Sequence, residues 1–384
     1  MGIFDVAIGE KLLQMNRELI YDILRLALME DAAADAACVQ SGVSALADAS
    51  AQDWNWVFNT LSMHGLAAFA YEAVERMPQE ARPPKEVLLK FISAKMKGEQ
   101  SYAKLSALAE RIGEVMQENG IKCLLLKGLS LAECYPRPQS RKFLDIDLYA
   151  PEASHQIDEA FKAKGVAVDT EFYRHSHMSL KGVLVENHHC LLDVRGRELL
   201  RRLDADLKAM AQEHLATFDS PGLYYPDARF SLIFNLHHAM SHFIYEGISF
   251  KFLVDWIYFL RREKELLAGM RTVEDLQRHG LLKFAAVMSE VSVRHLGLAL
   301  EDVPECIRTQ MCSLNPKVVE KFIDDLFRPY EQIHQKNIVL ERLHSVRRII
   351  KAAWKPKEFL GQNAVGFVWD KFVPILMGRK FEAD

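Results

Sequence analysis

Apolar positions along the chain predict two helical regions with a stretch of strands between them. Up to residue 98 they recur mostly every three to four positions, which is the spacing of helices with one buried face. The segment from Tyr102 to Met116 has the same spacing and is followed by Asn119-Gly120, a signal for the end of a helix. From about Leu199 onward the pattern is again mostly helical.

Short apolar runs near the middle of the chain predict the strands. Cys123–Leu126 and Leu144–Leu148 are the clearest, and residues 166–168 and 180–192 are also strand-like. The order of helix, strand, helix, strand, helix and strands favours an α+β fold, with a small mixed sheet covered by helices. We therefore predict three units, an N-terminal helical region at 1–98, an α/β core at 99–215 and a C-terminal helical region at 216–384.

Composition narrows the class of protein without identifying a function. The chain has 384 residues, of which 49% are hydrophobic and 26% charged, an ordinary profile for a globular protein of more than one unit. The formal net charge of −4 lacks the basic excess of many nucleic-acid-binding proteins, so nucleic acid is not the expected partner. Six cysteines without paired or zinc-type spacing favour reduced thiols.

The sequence also bears on location. The N-terminal stretch MGIFDVAIGEKLLQ lacks the layout of a signal peptide, and Val6 stands where a myristoylation motif has Ser or Thr. No apolar run approaches the roughly 20 residues that a membrane-spanning helix needs. We therefore expect no membrane span and a cytoplasmic location.

Two aspartates spaced two apart are the first candidates for chemistry. Alternate side chains of a strand share a face, so Asp145 and Asp147 are expected to point one way, and Leu144, Ile146 and Leu148 the other, into a core. Adjacent carboxylates repel each other unless a cation neutralises them, and Mg²⁺ prefers such oxygen ligands. The alternative is a pair of strand-end aspartates that face water.

The segment Lys127-Gly128-Leu129-Ser130 lies between the first strand and a predicted helix. Backbone N–H groups at the start of a helix can bind an anion, and glycine allows both close approach of a phosphate and a positive φ. Ser130 could cap the helix or donate to a phosphate oxygen, and Lys127 and Arg141 would add positive charge. An ordinary strand-to-helix turn with a capping serine is the alternative.

Four short motifs follow one another in this part of the chain: Lys127-Gly128 after a leucine, then Tyr135-Pro136, Arg141 and Asp145-Ile146-Asp147-Leu148. Together they resemble the signature of the DNA polymerase β-like nucleotidyltransferase superfamily, and most closely a bacterial family of uncharacterised nucleotidyltransferases. The superfamily usually has Gly-Ser or Gly-Gly where this chain has Gly128-Leu129. The resemblance implies a polymerase β-like core in which Lys127, Gly128, Ser130 and Arg141 bind the nucleotide.

The superfamily has a third carboxylate on a neighbouring strand, and the resemblance implies Glu186 for that role. Glu186 and His188 share a face on a strand, so both could face one site. The implied catalytic residues and metal ligands are then Asp145, Asp147 and Glu186, holding two Mg²⁺ ions, with His188 at the nucleotide. Asp193 is the rival third carboxylate, and a histidine bonded to backbone is the alternative for His188.

Two further stretches carry unassigned polar residues. His238 and His242 lie one helical turn apart, a spacing that can bind zinc, but no Glu follows the first His as in a zinc-protease motif, which favours a packed helix pair with internal hydrogen bonds. The family resemblance implies that this stretch, with Asp255-Trp256, lines an acceptor pocket. The basic segment from Arg342 to Lys357 could contact RNA, an acidic lipid surface or a phosphorylated acceptor, or be a solvated helix face.

The resemblance and the residues together predict an Mg²⁺-dependent nucleotidyltransferase. It would move an NMP from an NTP such as ATP to a hydroxyl of a small-molecule, sugar or protein acceptor, with release of pyrophosphate, and Glu186 would help to activate that hydroxyl. The alternatives are a non-catalytic relative that binds a nucleotide or a partner protein, an RNA-tailing enzyme, and a kinase-like phosphotransferase.

Overall fold

The computed structural model describes residues 17–29, 43–44, 46–194, 198–269, 271–327 and 350–361. Residues 17–28 are helical, and three helices precede the sheet: α1 Ala51–Met63, α2 Ala67–Arg76 and α3 Lys85–Glu118. The helices that follow are α4 Gly128–Ala132, α5 Ser154–Ala163, α6 Glu198–Ala216, α7 Ala228–Tyr245, α8 Phe250–Gly269, α9 Thr272–Arg278, α10 Leu282–Leu296, α11 Glu305–Met311, α12 Pro316–Leu326 and α13 Trp354–Leu360. Short 3₁₀ turns lie at Gln79–Ala81, Pro138–Ser140 and Leu300–Asp302.

One mixed sheet lies among these helices. Its strands are β1 Lys122–Leu126, β2 Asp145–Tyr149, β3 Val168–Asp169, β4 His175–Leu180, β5 Val183–His188 and β6 Gly222–Tyr224, in the spatial order β3-β4-β5-β2-β1-β6. The central pair, β2 and β5, is parallel, and β1 is antiparallel to β2 and parallel to β6. Strand β4 is antiparallel to both β3 and β5.

The two faces of the sheet contact different cores because side chains alternate along each strand. On one face Ile146 and Leu148 are buried against the C-terminal half of α3 and against α5. On the other face Leu124, Leu126 and Tyr149 join a larger core built from helices. Asp145 and Asp147 of β2 and Glu186 and His188 of β5 lie on this second face, where they meet the helical part of the protein. Asn187 of β5 lies on the first face and donates to Asp158 of α5.

Helices from both ends of the chain build the larger core. Trp54, Phe69 and Phe91 from the N-terminal region and Phe230 and Phe284 from the C-terminal region are fully buried within it. Burial of side chains of this size is worth roughly 1.5–3 kcal/mol each. The two helical regions therefore form one packed body around the sheet.

Helix α3 is continuous across residues 98 and 99, where the sequence predicted the end of the N-terminal unit. Gly98 lies in mid-helix, and a Cβ at this position would lie 3.0 Å from the carbonyl oxygen of Gln139 and 3.3 Å from Cβ of Ala68. The glycine thus allows close packing and does not end the helix. Strand β6 lies beyond the other predicted boundary, at 215, and completes the sheet beside β1.

The predicted fold class, a mixed sheet flanked by helices, is confirmed. Two strands were not predicted, β4 because only Met178 and Leu180 of its sequence HSHMSL are apolar, and β6 because it has only three residues. Leu144 was expected in the core, but it precedes β2 and its side chain is 67% exposed at the rim of a cavity. Ser50 caps α1, and Asp53 completes the capping box.

Other sequence expectations have mixed outcomes. Arg342, Arg347 and Arg348 of the basic segment lie outside the described residues. Lys355 does not lie on a solvated face, since it is buried and its ammonium contacts Asp325 at 2.8 Å. The five cysteines in the described part of the chain form no disulfide. None of the described helices combines the length and the apolarity needed to cross a membrane.

Candidate active site

A cavity of about 1280 Å³ lies between the polar face of the sheet and helices α7 and α8. Its volume exceeds that of a typical small-ligand pocket, so it has room for a nucleotide and a second molecule. Three strands, the end of β1 and the first turns of α8 line it with polar side chains: Lys127, Asp145, Asp147, His175, His177, Glu186, His188, Lys251 and Asp255.

Asp147 and Glu186 lie directly opposite each other on the parallel strands β2 and β5. The pairing follows from the strand register, which also sets His188 beside Tyr149 and His177 of β4 beside Glu186. Asp147, Glu186 and His188 each offer one donor atom within 4.8 Å of the others. The sequence prediction that Glu186 shares a site with the second aspartate therefore agrees with the geometry.

Asp147 is held ionised although it is buried. Burial opposes its ionisation, but the ammonium of Lys127 at 3.2 Å and Nε2 of His188 at 2.9 Å outweigh it and keep the pKa of this carboxyl well below its usual range. Both contacts are to the same oxygen, Oδ1, so the second oxygen can still bind another cation. His188 is thus bonded to a side chain here, not to backbone.

Asp145 lines the same cavity at the start of β2 and is half-buried. It shares a face with Asp147, as predicted, because the two residues are two apart on one strand. Its carboxylate is not part of the group formed by Asp147, Glu186 and His188. Its charge acts on the ammonium of Lys251 of α8, which lines the same cavity.

The Asp193 carboxylate, the rival to Glu186, belongs to neither group of potential metal ligands among the described residues. It accepts a hydrogen bond from the hydroxyl of Tyr173 and borders a smaller pocket that shares Lys127 and His188 with the large cavity. Glu186, in contrast, lies in both groups of potential metal ligands among the described residues.

The turn after β1 differs in detail from the expected phosphate-binding loop. The positive φ, +40°, belongs to Lys127, while Gly128 begins α4. Gly128 is needed for another reason, because a Cβ there would lie 2.9 Å from Cδ2 of Phe143. The hydroxyl of Ser130 donates to the carbonyl of Lys127 at 3.2 Å and neither caps the helix nor lines the cavity.

Replacing Gly128 with alanine is expected to lower the free energy of unfolding by about 1–3 kcal/mol, because the methyl group overlaps the ring of Phe143. Gly113→Ala is the matched control, since a Cβ there meets only Leu223 at 3.6 Å and alanine favours a helix. Denaturant unfolding measures both variants. Adding Phe143→Leu to Gly128→Ala should restore part of the loss, and no restoration would contradict the steric explanation.

Arg141 fixes the Gly128 turn through buried hydrogen bonds. Its Nε and Nη2 donate to the two carboxylate oxygens of Asp255 at 2.7 and 2.9 Å, and Nη1 donates to the carbonyl of Gly128 at 2.9 Å. The hydroxyl of Tyr135 donates to Oδ1 of Asp255 at 2.6 Å. The predicted cation at the nucleotide is therefore a buried structural group that joins the Gly128 turn to α8.

Lys251 is a cation of the cavity wall that the sequence did not single out. Burial lowers its pKa to about 8, Arg141 and Lys142 add to the effect, and Asp255 and Asp145 oppose it. The only sequence signal was its position one helical turn before Asp255. At neutral pH this ammonium is charged and faces the same space as Asp145.

Lys251→Met should raise the free energy of unfolding at pH 7, by about 1–3 kcal/mol. The folded chain binds the lysine proton more weakly than the unfolded chain, whose lysine pKa is near 10.5. The wild type is thus penalised fully below pH 8, and the penalty fades as the pH rises toward 10.5. Denaturant unfolding with a chelator, at pH 7 and at higher pH, should show the gain shrinking. The exposed Lys142→Met is the control, and an equal gain there would refute the assignment.

The remaining histidines of the cavity fall into two groups. His238 and His242 on α7 pack edge to face, Nδ1 of His242 bonds Oε2 of Glu246 at 2.8 Å, and burial lowers the pKa of His238 well below its usual value. Neither belongs to a group of three potential metal ligands among the described residues, which favours the packed-helix interpretation. His175 and His177 on β4 form the other group, beside Glu186.

Comparison with known sequences identifies the family. The sequence model of a family described as "Uncharacterised nucleotidyltransferase" matches residues 50–297, which is more than half of the chain and contains the whole sheet with α7 and α8. The chain belongs to this nucleotidyltransferase family. Membership supports nucleotidyl transfer as the broad activity and transferase as the class. Searches of curated proteins and of solved structures gave no significant match.

The polar face of this nucleotidyltransferase family member fits a divalent cation. Asp147 is ionised, Glu186 lies opposite it, and His188 completes a group whose donor atoms lie within 4.8 Å of one another. The ammonium of Lys127 contacts Asp147 and so partly neutralises the two adjacent carboxylates, Asp147 and Glu186. Carboxylate oxygens are the ligands that Mg²⁺ prefers.

Proposed function

We propose that the chain transfers an NMP group from an NTP to a hydroxyl-bearing acceptor and releases pyrophosphate, with Mg²⁺ as the cofactor. The observation that carries this proposal is the register of β2 and β5, which sets Asp147 and Glu186 side by side, with Asp145 on the same cavity. Family membership supports the broad activity.

Asp145, Asp147 and Glu186 would hold two Mg²⁺ ions. Bound there, such ions would neutralise the phosphates and stabilise the charge on the entering and leaving oxygens at phosphorus. The fixed strand register holds the carboxylates in place before the nucleotide binds, so little reorganisation is needed during the reaction.

The remaining roles follow from position and charge. Lys127 and Lys251 face the cavity as ammonium groups and suit the phosphates of the nucleotide. Glu186, at the cavity surface, is the proposed acceptor of the proton from the attacking hydroxyl. His188 orients Asp147 through its hydrogen bond. Arg141 is a positioning residue, because its hydrogen bond to the carbonyl of Gly128 fixes this turn. Ser130 lies off the cavity, which argues against a direct phosphate contact.

The acceptor would be a small molecule, a sugar or a protein side chain. The cavity wall formed by α7 and α8 mixes apolar rings with polar groups, including Phe252, Trp256, His238 and His242. Such a wall suits a compact molecule that offers both an apolar surface and hydroxyl groups. The net charge of −4 does not favour RNA as the acceptor, because RNA-binding proteins usually carry a basic excess.

The test is incubation of the purified chain with each labelled NTP and Mg²⁺, with and without a metabolite extract, followed by assay of pyrophosphate and of labelled product. Pyrophosphate release in step with product supports the proposal. Nucleoside diphosphate release would replace it with kinase-like transfer. Binding of MgATP by calorimetry without any turnover would replace it with a non-catalytic nucleotide-binding role.

A further inference from the structure

A second group of donors lies beside the proposed magnesium ligands and was not predicted from the sequence. His175 and His177 alternate along β4, so their imidazoles share one face of the sheet. Strand register sets His177 directly opposite Glu186 and His175 opposite His188. One donor atom from each of His175, His177 and Glu186 lies within 4.8 Å of the other two.

The carboxylate of Glu186 is shared between this group and the first. Its Oε1 lies 3.5 Å from Nε2 of His177, and its Oε2 lies 3.8 Å from Nε2 of His188. Both distances exceed the roughly 2.7–3.2 Å of an ordinary N–H···O hydrogen bond. Two ligands bound to one tetrahedral ion at about 2.0–2.2 Å are themselves about 3.4 Å apart, close to the separation of His177 and Glu186.

Two imidazole nitrogens without a hydrogen-bond partner among the described residues lie at this face of the sheet. Nδ1 of His175 and Nδ1 of His188 are buried and have no hydrogen-bond partner among the described residues. A buried imidazole nitrogen without a partner is costly, by about 1–3 kcal/mol. Metal-binding imidazoles in proteins are normally held by a second contact, and here the packed rings of His175 and His177, 4.5 Å apart, restrict each other.

We propose that His175, His177 and Glu186 form a binding site for a first-row transition-metal ion of the Zn²⁺ class, adjacent to the proposed magnesium site and sharing Glu186 with it. Two imidazoles and one carboxylate are a donor set that such ions favour strongly over Mg²⁺. The site is open to the cavity on one side, which leaves room for water or substrate as a further ligand. This inference does not rest on nucleotidyl transfer.

Sharing of Glu186 has a consequence for the chemistry of the cavity. A Zn²⁺ ion bound to Oε1 of Glu186 draws negative charge away from a carboxylate that is also a proposed ligand of Mg²⁺. Zn²⁺ and Mg²⁺ are therefore expected to influence each other's binding, although each ion has ligands of its own.

The test is calorimetric titration of the full chain with Zn²⁺ in buffer that contains excess Mg²⁺. We expect one Zn²⁺ per chain, and His177→Gln should weaken its affinity by about 10–100-fold or more. Asp147→Asn, which removes a ligand of the other group only, should leave the Zn²⁺ affinity within a few fold of the wild type. X-ray absorption at the zinc edge should show scattering from two imidazoles in the wild type and from one in His177→Gln.

His155→Gln is the matched control, because this exposed histidine of α5 lies outside the cavity. It should leave Zn²⁺ binding unchanged. His177 is also partly exposed, with 35% of its side chain accessible, so the variant is expected to fold, and circular dichroism checks this. The proposal is overturned if the wild type binds no Zn²⁺ under these conditions. It is equally overturned if His177→Gln binds as tightly as the wild type, or if only Asp147→Asn loses affinity.

Discussion

Asp145→Asn is expected to reduce the rate of transfer by at least about 100-fold, the loss typical of removing one group that stabilises charge in the transition state. The substitution keeps the shape of the side chain and removes one negative charge from the cavity. Asp145 is half-buried and lines the cavity. The free energy of unfolding should therefore stay within about 0.5 kcal/mol of the wild type.

The comparison that isolates the effect uses Glu171→Gln. Glu171 is exposed and lines the same cavity, so this variant loses an equal charge at a distance from β2 and β5. Its rate is expected to remain within about threefold of the wild type, since an exposed charge is screened by solvent. Pyrophosphate release under saturating NTP measures both variants. Full activity in Asp145→Asn would remove this residue from the catalytic set, and equal losses in both variants would indicate a general field effect.

Arg141→Met is expected to cost about 3–5 kcal/mol of stability, which is the usual cost of leaving one member of a buried ion pair without its partner. Among the side-chain hydrogen bonds that Asp255 accepts from described residues, the one from the Tyr135 hydroxyl would remain, and the carbonyl of Gly128 would lose the Arg141 donor. Arg141→Lys should recover only part of this loss, because an ammonium cannot donate to both oxygens of Asp255 and to Gly128 at once. Denaturant unfolding at neutral pH provides the measurement.

Arg137→Met is the control for this prediction. Arg137 also forms an ion pair, with Glu75 at 2.8 Å, but 47% of its side chain is exposed. Removing it should cost no more than about 1 kcal/mol. A double variant, Arg141→Met with Asp255→Asn, should be less destabilised than the sum of the single variants. Equal losses of stability in Arg137→Met and Arg141→Met would show that burial of the Arg141–Asp255 pair does not increase its contribution to stability.

The sequence was sufficient for the parts of the fold that depend on local patterns. Strands β1 and β2 are short apolar runs, and the aspartates of β2 share a face because of strand geometry alone. Strand β4 escaped prediction because His175 and His177 line the cavity on one face and only Met178 and Leu180 are apolar on the other, so the apolar alternation is very short. The continuity of α3 through Gly98 could not be predicted for a related reason, since this glycine is explained by its close packing against Gln139 and Ala68, which are distant in sequence.

Contacts between distant residues account for what the sequence could not supply at the site. Arg141 and Asp255 are 114 positions apart, and each alone is compatible with a surface role. The approach of His177 to Glu186 depends on the hairpin register of β4 and β5. The alternation of histidines at 175 and 177, close to Glu186 and His188, was a signal that could have been used. Lys127 has a positive φ that its residue type does not suggest.

Helix α3 has 34 residues and is therefore about 51 Å long. Its first half packs with the large helical core and its second half with the opposite face of the sheet. A helix packed into a core at each end opposes a hinge between the N-terminal helices and the sheet. We therefore expect substrates to enter and leave chiefly through movement of side chains and loops at the rim, such as the exposed Leu144 and Glu171.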